Sequence, residues 1–216
     1  MAHSGDTPFN RLAVRYDGWF DNEGRPIFQS ELAAIKTLIN DLPRPWLEIG
    51  VGSGRFAAAL GVDVGIDPAD KLLVMARQRG LRVLQGRGEK LPFANSSFGT
   101  AFMIVTICFV DDPLPILQEC YRVLQPSGGL VLGFVPRDST WGKRYVYKGE
   151  RGHPFYSHAK FYTVSEVETM LRATGFEPER SSSTLMQLPD GVIKPEEPRV
   201  GYEPAAGFVA LVARRK

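Results

Sequence analysis

The sequence predicts an α/β protein in three layers: a doubly wound sheet of seven strands, mostly parallel, with an antiparallel strand at the C-terminal end and a helical cap in front. Three observations predict it. After Pro45, short apolar runs (WLEIG, DVGID, RVLQG, SFGTAFMIVTICFV and GGLVLGFV) alternate with segments of helix length, the pattern of a parallel sheet covered on both faces. Glycines occupy alternate positions 50, 52 and 54 directly after the first run. An acid, Asp67, closes the second run just before Pro68.

From Phe9 to Leu42 the apolar residues Phe28, Leu32, Ile35, Leu38 and Ile39 recur at three- and four-residue steps until LPRP stops them, so residues 1–44 read as a helical cap. Residues 45–136 carry the sheet core, with helices expected at 54–60, 69–79 and 113–124. Residues 137–162 form a connection longer than compact domains normally use. A last helix is expected from Thr163 to Ala173, capped by Thr163 or Ser165, with Glu166 and Glu168 early and Gly175 closing it. SSSTLMQL and GFVALVARRK are then expected to pair as antiparallel strands across the proline-rich 189–204 stretch, which makes 163–216 a helix followed by a strand pair. The whole chain, 1–216, reads as one domain.

Composition narrows the partners. With 216 residues and 44% hydrophobic content, the chain can bury one sizeable core. A formal charge of +2 gives no overall attraction to nucleic acid or a membrane surface, so neither is expected. Cys108 and Cys120 sit among apolar residues without metal-ligand spacing, as buried free thiols do, and suit a reducing compartment. The start MAHSGDTPFNR has no apolar signal core, and no run approaches the roughly 18 apolar residues of a membrane span. The expectation is a soluble, cytoplasmic protein, with no signal for its oligomeric state.

The three glycines mark a turn where a ligand can lie against backbone. Dinucleotide enzymes use G-x-G-x-x-G there; here the third glycine comes one residue early and Arg55 stands where that fingerprint has Gly. The spacing favours a ligand without a pyrophosphate, and Asp67 is placed to accept from both hydroxyls of a ribose. Glycines at such a junction can also serve close packing, and Asp67 can serve as a helix cap.

Four blocks in order, LEIGVGSGRF, GIDP, GRGEKLPFANSSFG and VDDPLPILQECYRVLQPSGGLVLGFV, resemble the class I S-adenosylmethionine-dependent methyltransferases of Rossmann-like fold. The likeness runs from about Trp46 to Val135. It implies S-adenosyl-L-methionine as cofactor and S-adenosyl-L-homocysteine as product. It further implies that Gly50, Gly52 and Gly54 pass under the methionine and ribose portion, that Asp67 holds the ribose hydroxyls, and that Glu48 steadies the loop and serves the methionine amino group. Gly88, Glu89 and Thr106 complete the implied set. One block departs from the pattern: Arg87 stands where the family often has the aspartate that accepts from the adenine amino group, and arginine cannot accept. Glu89, a backbone carbonyl or packing on Leu91 and Phe93 must replace it.

In open parallel sheets, ligands bind beyond the carboxyl ends of the strands, which directs the acceptor to the 137–162 segment. Its aromatic content argues for an ordered lid. Arg137, Lys143, Arg144, Lys148, Arg151 and Lys160 oppose Asp138 and Glu150, a local excess of four positive charges that suits an anionic or aromatic acceptor. Arg144, Tyr145 and Tyr147 are candidate acceptor contacts, and His153 and His158 candidate bases; a satellite core and loop-satisfying histidines are the alternatives. VRYDGWFD, with Tyr16 and Trp19, resembles the cap of small-molecule members of the family. No metal site is expected. The expected function is in-line methyl transfer to a small-molecule acceptor. The alternatives are a nucleic-acid methyltransferase, which the TICFVDD ending of the fourth run disfavours, a nicotinamide oxidoreductase, which the glycine spacing disfavours, and a non-catalytic cofactor-binding regulator.

Overall fold

The computed structural model describes residues 7–216; residues 1–6, where the stretch MAHSGDTPFNR begins, lie outside the described residues. The cap is helical as expected but broken into three pieces: α1 (Pro8–Arg11), α2 (Ala13–Trp19) and α3 (Arg25–Lys36). Thr7 starts the first by accepting from the Asn10 amide, with Pro8 at the first helical position, where a missing N–H costs nothing. Between α2 and α3 the chain needs Gly24, because the Trp19 ring fills the space a side chain there would take. α3 buries Ile27, Ala34 and Ile35 along one stripe.

The sheet and its helices follow as β1 (Trp46–Ile49), α4 (Arg55–Leu60), β2 (Val64–Asp67), α5 (Asp70–Gln78), β3 (Val83–Gln85), β4 (Phe98–Ile104), α6 (Pro113–Val123) and β5 (Leu124–Phe134). Then come α7 (Thr140–Glu150), α8 (Val164–Ala173), β6 (Phe176–Thr184), β7 (Arg199–Val200) and β8 (Phe208–Arg215). The strand order is β3-β2-β1-β4-β5-β8-β6-β7. β1 to β5 pair in parallel, with Leu47 between Val64 and Ala101, while β8 runs antiparallel to both β5 and β6. β1 and β4 are buried along their whole length, which explains their unbroken apolar character.

The structure corrects the expectation in three places. Among the described residues there are eight strands where seven were expected, because two residues of the proline-rich connection, Arg199 and Val200, add an edge to β6 opposite Ser183 and Ser182. The strand expected at SSSTLMQL begins earlier, at Phe176, and stops at Thr184; Leu185 then takes a left-handed φ of 59° and the Glu196 carboxylate receives the amides of Met186 and Gln187. Residues 137–162 are not an extended loop but contain α7 and a single 3-10 turn, Tyr156–His158. Ser139 caps α7 by accepting from the Gly142 amide. Gly142 and Gly149 lower the helical signal, yet a side chain at either would strike backbone carbonyls.

Two apolar layers sandwich the sheet. One joins Phe102, Val131 and Phe208 to the cap through Ile35, Leu38 and Leu42; the other joins Leu47, Met103 and Leu132 to α6 and α8 through Leu117 and Leu171. Cys108 and Cys120 are buried and free. Among the described residues no helix is long and apolar enough to cross a membrane. At the start of α8, Thr163 accepts from the Glu166 amide while the Glu166 carboxylate accepts from the Thr163 amide. Thr163→Ala is expected to lower the unfolding free energy by about 1 kcal/mol, measured as a reduced urea midpoint with unchanged slope.

Candidate active site

The glycine turn is built by its neighbours. The Gly50 and Val51 amides donate to the Ile66 carbonyl at 2.8 and 3.1 Å, which folds the chain over the end of β2. Asp67 then fixes the next step, accepting from the Gly52 amide at 2.8 Å and from the Ala69 amide at 2.8 Å. The glycines divide the labour. The Thr106 side chain occupies the place of a Gly50 Cβ, and Ala76 with Leu81 occupies that of Gly54, so both serve close packing of protein on protein. Of the three, Gly52, at φ +52°, alone has room for a Cβ, which would rest in ordinary contact with the Tyr16 ring at 3.7 Å and Leu72 at 3.8 Å.

Arg55, the residue that breaks the dinucleotide fingerprint, ties the cap to this turn. Its guanidinium meets the Asp17 carboxylate at 2.8 Å and reaches Asp21 as well. Arg79 meets Asp17 at 2.8 Å from the other side and donates to the Ser53 carbonyl. Burial would raise the pKa of Asp17, but hydrogen bonds from Arg55, Ser53 and Arg79 outweigh it and hold the group at about 2. These bonds clamp α2 over the carboxyl ends of β1 and β2.

Under the clamp lies a chamber of about 820 Å³. Tyr16, Trp19 and Phe20 close it from the cap, Glu48 and Gly50 from the turn, and Trp141, Arg144 and Tyr145 from α7. Tyr156 stacks between Tyr145 and His153, at ring separations of 4.4 Å on each side. Phe155 packs against Phe9 and Tyr16, so the 137–162 segment and the cap meet directly.

Two buried acids face this apolar room. Glu48 is 2% exposed and its Oε2 has no hydrogen-bond partner. Burial, reinforced by the charge of Asp67, pushes its pKa well up, and an amide bond from Ala57 offsets part of that. Glu31, 5% exposed on α3, is pushed up to about 8 by burial alone. Asp67 is also raised by burial, against the pull of its two amides.

The sequence-predicted residues are not all brought together. Glu48, Gly50, Tyr16, Trp19, Arg144, Tyr145 and His153 line the chamber, whereas Gly52, Gly54, Asp67, Gly88, Glu89 and Thr106 lie outside its wall. Gly88 approaches Ile49 and Ile116 closely, and Glu89 pairs with Arg87 at 2.9 Å. Tyr147 is exposed, beneath Arg151, and His158 is exposed as well; the structure brings neither to the chamber. His153 reaches it, but its Nδ1 accepts from the Phe155 and Tyr156 amides at 3.4 and 3.3 Å. With hydrogen assigned to Nε2 by that network, the ring has no lone pair free to take a proton. Burial, with Lys148 and Arg15 nearby, lowers its pKa.

Sequence reasoning missed Glu31, Tyr156 and Arg79. Glu31 had a signal: it stands four residues from both Ile27 and Ile35, inside the apolar stripe of α3. Arg79 had none, since its partner Asp17 is 62 residues away.

Comparison with known proteins agrees with this architecture. The family profile of the methyltransferase domain matches residues 47–132. A Thermotoga maritima crystal structure, described as an S-adenosylmethionine-dependent methyltransferase and possible histamine N-methyltransferase, superposes with a TM-score of 0.90 at 38% identity, over 99% of this chain and 100% of that one. An uncharacterised Mycobacterium tuberculosis protein is 44% identical over 206 residues, 94% of this chain and 72% of the relative. Malonyl-[acyl-carrier protein] O-methyltransferase of Methylococcus capsulatus is 29% identical over 78% of this chain and 64% of its own length. The chain belongs to the class I S-adenosylmethionine-dependent methyltransferases. It is an enzyme whose cofactor is S-adenosylmethionine.

Glu31 leaves a signature in stability. Its folded pKa of about 8 lies above the ordinary 4.5, so its contribution is complete below pH 4.5 and is lost as pH rises through 8. Glu31→Gln should remove that decline and be more stable than the parent at pH 9 by about 3–5 kcal/mol. Urea denaturation of both proteins at pH 5 and pH 9 checks it. Parallel pH dependences would mean that water reaches the carboxylate.

Proposed function

We propose that this methyltransferase acts on a small-molecule acceptor held in the aromatic chamber, by in-line displacement. The observation that carries the reading is the chamber itself: about 820 Å³, within the range of small-molecule pockets, walled by Glu48 and Gly50 at the glycine turn, by Arg55, and by the aromatic rings of the cap and the 137–162 segment. The description of the Thermotoga structure as a possible histamine N-methyltransferase supports a compact acceptor over a polymer; the Methylococcus relative is named for a malonyl group on an acyl-carrier protein.

The cofactor-binding residues follow from what the site leaves unpaired. The orphan Oε2 of Glu48 suits the ammonium of the methionine portion. The carboxylate of Asp67 keeps lone pairs for ribose hydroxyls after its two amide bonds, and Gly52 offers the open backbone beside it. Thr106, Gly88 and Glu89 belong to the adenine end, with Glu89 in place of the usual aspartate. When bound, the cofactor supplies a methyl group already activated by its positive sulfur. The protein then has to orient the acceptor and exclude water. Tyr16 and Trp19 can present aromatic faces to positive charge, and Arg144 and Tyr145 border the acceptor.

The aromatic part of the expected acceptor chemistry keeps its support. The anionic part rested on the cation excess of residues 137–162, and two of those cations are neutralised from outside the segment while two others lie over rings within it. Arg137 pairs with Glu166 and Arg144 with Asp190, at 2.9 and 2.8 Å. Arg151 and Lys160 lie over the rings of Tyr147 and Tyr162.

Asp67→Ala is expected to weaken S-adenosylhomocysteine binding by about 1.5–3 kcal/mol, and Gly52→Val by a similar amount, measured by calorimetry on folded protein. Parental affinity in both would place the cofactor elsewhere. His153→Ala should leave that affinity within about 0.5 kcal/mol while lowering turnover, because the loop that seats Tyr156 loses its amide acceptor. A change confined to cofactor affinity would reverse this assignment.

A further inference from the structure

Glu31 has no part in the proposed cofactor site and is, with Glu48, one of two buried acids in the chamber wall. It is 5% exposed and lines the cavity wall. Burial is the only influence on its ionisation, with neither a hydrogen bond nor a cation acting on it. The titratable groups within electrostatic reach are phenols: Tyr16 from α2, Tyr145 from α7 and Tyr156 from the 3-10 turn. Cations also line the wall: Arg144 pairs with Asp190 and Arg55 with Asp17 and Asp21, while Arg15 and Lys148 act on His153. A carboxyl group without a partner in an apolar room costs several kcal/mol when charged, and folded chains retain such a group where a ligand completes it.

We propose that Glu31 is the acceptor-binding carboxylate and that the acceptor is a small amine, taken up as its ammonium ion between Glu31 and the rings of Tyr145, Tyr156 and Trp19. This rests on the small-molecule reading above and specifies its chemistry. Aromatic faces attract a desolvated cation, and an ion pair in a dry site outweighs the repulsion from Arg144, which Asp190 neutralises, and from Arg15 and Lys148, which water and salt screen. The proton balance is definite. The carboxyl group gives its proton to solvent as the ammonium binds. The ammonium then passes one proton to the Glu31 carboxylate, which frees the nitrogen lone pair. That pair forms the N–C bond while the C–S bond breaks and leaves its electrons on sulfur. The product leaves as the methylated ammonium ion, and one proton is released overall.

The test uses the protein saturated with S-adenosylhomocysteine and three probes of similar shape: phenethylamine, hydrocinnamate and hydrocinnamyl alcohol, with benzylamine and tyramine as further amines. Calorimetry at pH 7 in two buffers of different ionisation enthalpy reads both affinity and protons exchanged. Amines are expected to bind with release of about one proton, and Glu31→Gln to abolish the release and weaken binding roughly 10- to 100-fold. Glu31→Asp should keep the release at lower affinity. With S-adenosylmethionine in place of the product, the amines should yield S-adenosylhomocysteine in the parent and far less in Glu31→Gln. Equal amine binding by Glu31→Gln, or binding without proton release, overturns the proposal. Binding of the acid or alcohol but of no amine also overturns it, and leaves the small-molecule reading standing. Silence of every probe removes both.

Discussion

The site depends on a reversal in strand order. β2 and β3 extend the sheet on one side of β1, while β4 and β5 extend it on the other. The connections leaving β1 and β4 therefore diverge to opposite faces and open a crevice beyond the carboxyl ends of the strands. Three of the polar residues lie there: Glu48 is the last but one residue of β1, Asp67 ends β2, and Thr106 follows β4 and packs onto Gly50. Asp67 holds the crevice in shape, since its carboxylate receives amides from both the β1 turn and the β2 turn.

A crevice alone is open to water, and the cap turns it into a chamber. The Asp17 carboxylate is shared between Arg55 on α4 and Arg79 just after α5. Its side chain is 16% exposed, so the contacts are screened less than ordinary surface pairs. Arg55 thus puts an anchor for the helix that carries Tyr16 and Trp19 where the dinucleotide fingerprint has its third, helix-packing glycine.

The chamber carries costs that the core does not. Glu31 and Glu48 are buried acids without counter-ions. Val105, a β-branched residue on the chamber wall, adopts φ +51°, a conformation that side chains of its kind avoid. It is held there by its amide bond to Gly133 at 2.7 Å. Unfavourable burial and backbone strain on the wall of one chamber are what a preorganised site requires.

How much of this was legible in the sequence follows from the range of each interaction. Features set by near neighbours could be read directly. The apolar runs of β1 to β5, the Thr163 and Glu166 cap of α8, the three-glycine turn and the acid after β2 all depend on residues a few positions apart. Their order carried the resemblance that the comparisons bear out. Features set by contacts across the chain could not be read. Arg55 and Arg79 meet Asp17 across 38 and 62 residues. β7 forms because the proline-rich connection happens to return beside β6. α7 was hidden by Gly142 and Gly149, which are there for backbones that pass close by. By itself the sequence determined the alternation of strands and helices and the three-glycine turn, because hydrophobic period and glycine stereochemistry are local properties. Only the tertiary structure decided that Glu31 faces a chamber while Tyr147 and His158 face solvent, because burial is a property of the packed chain.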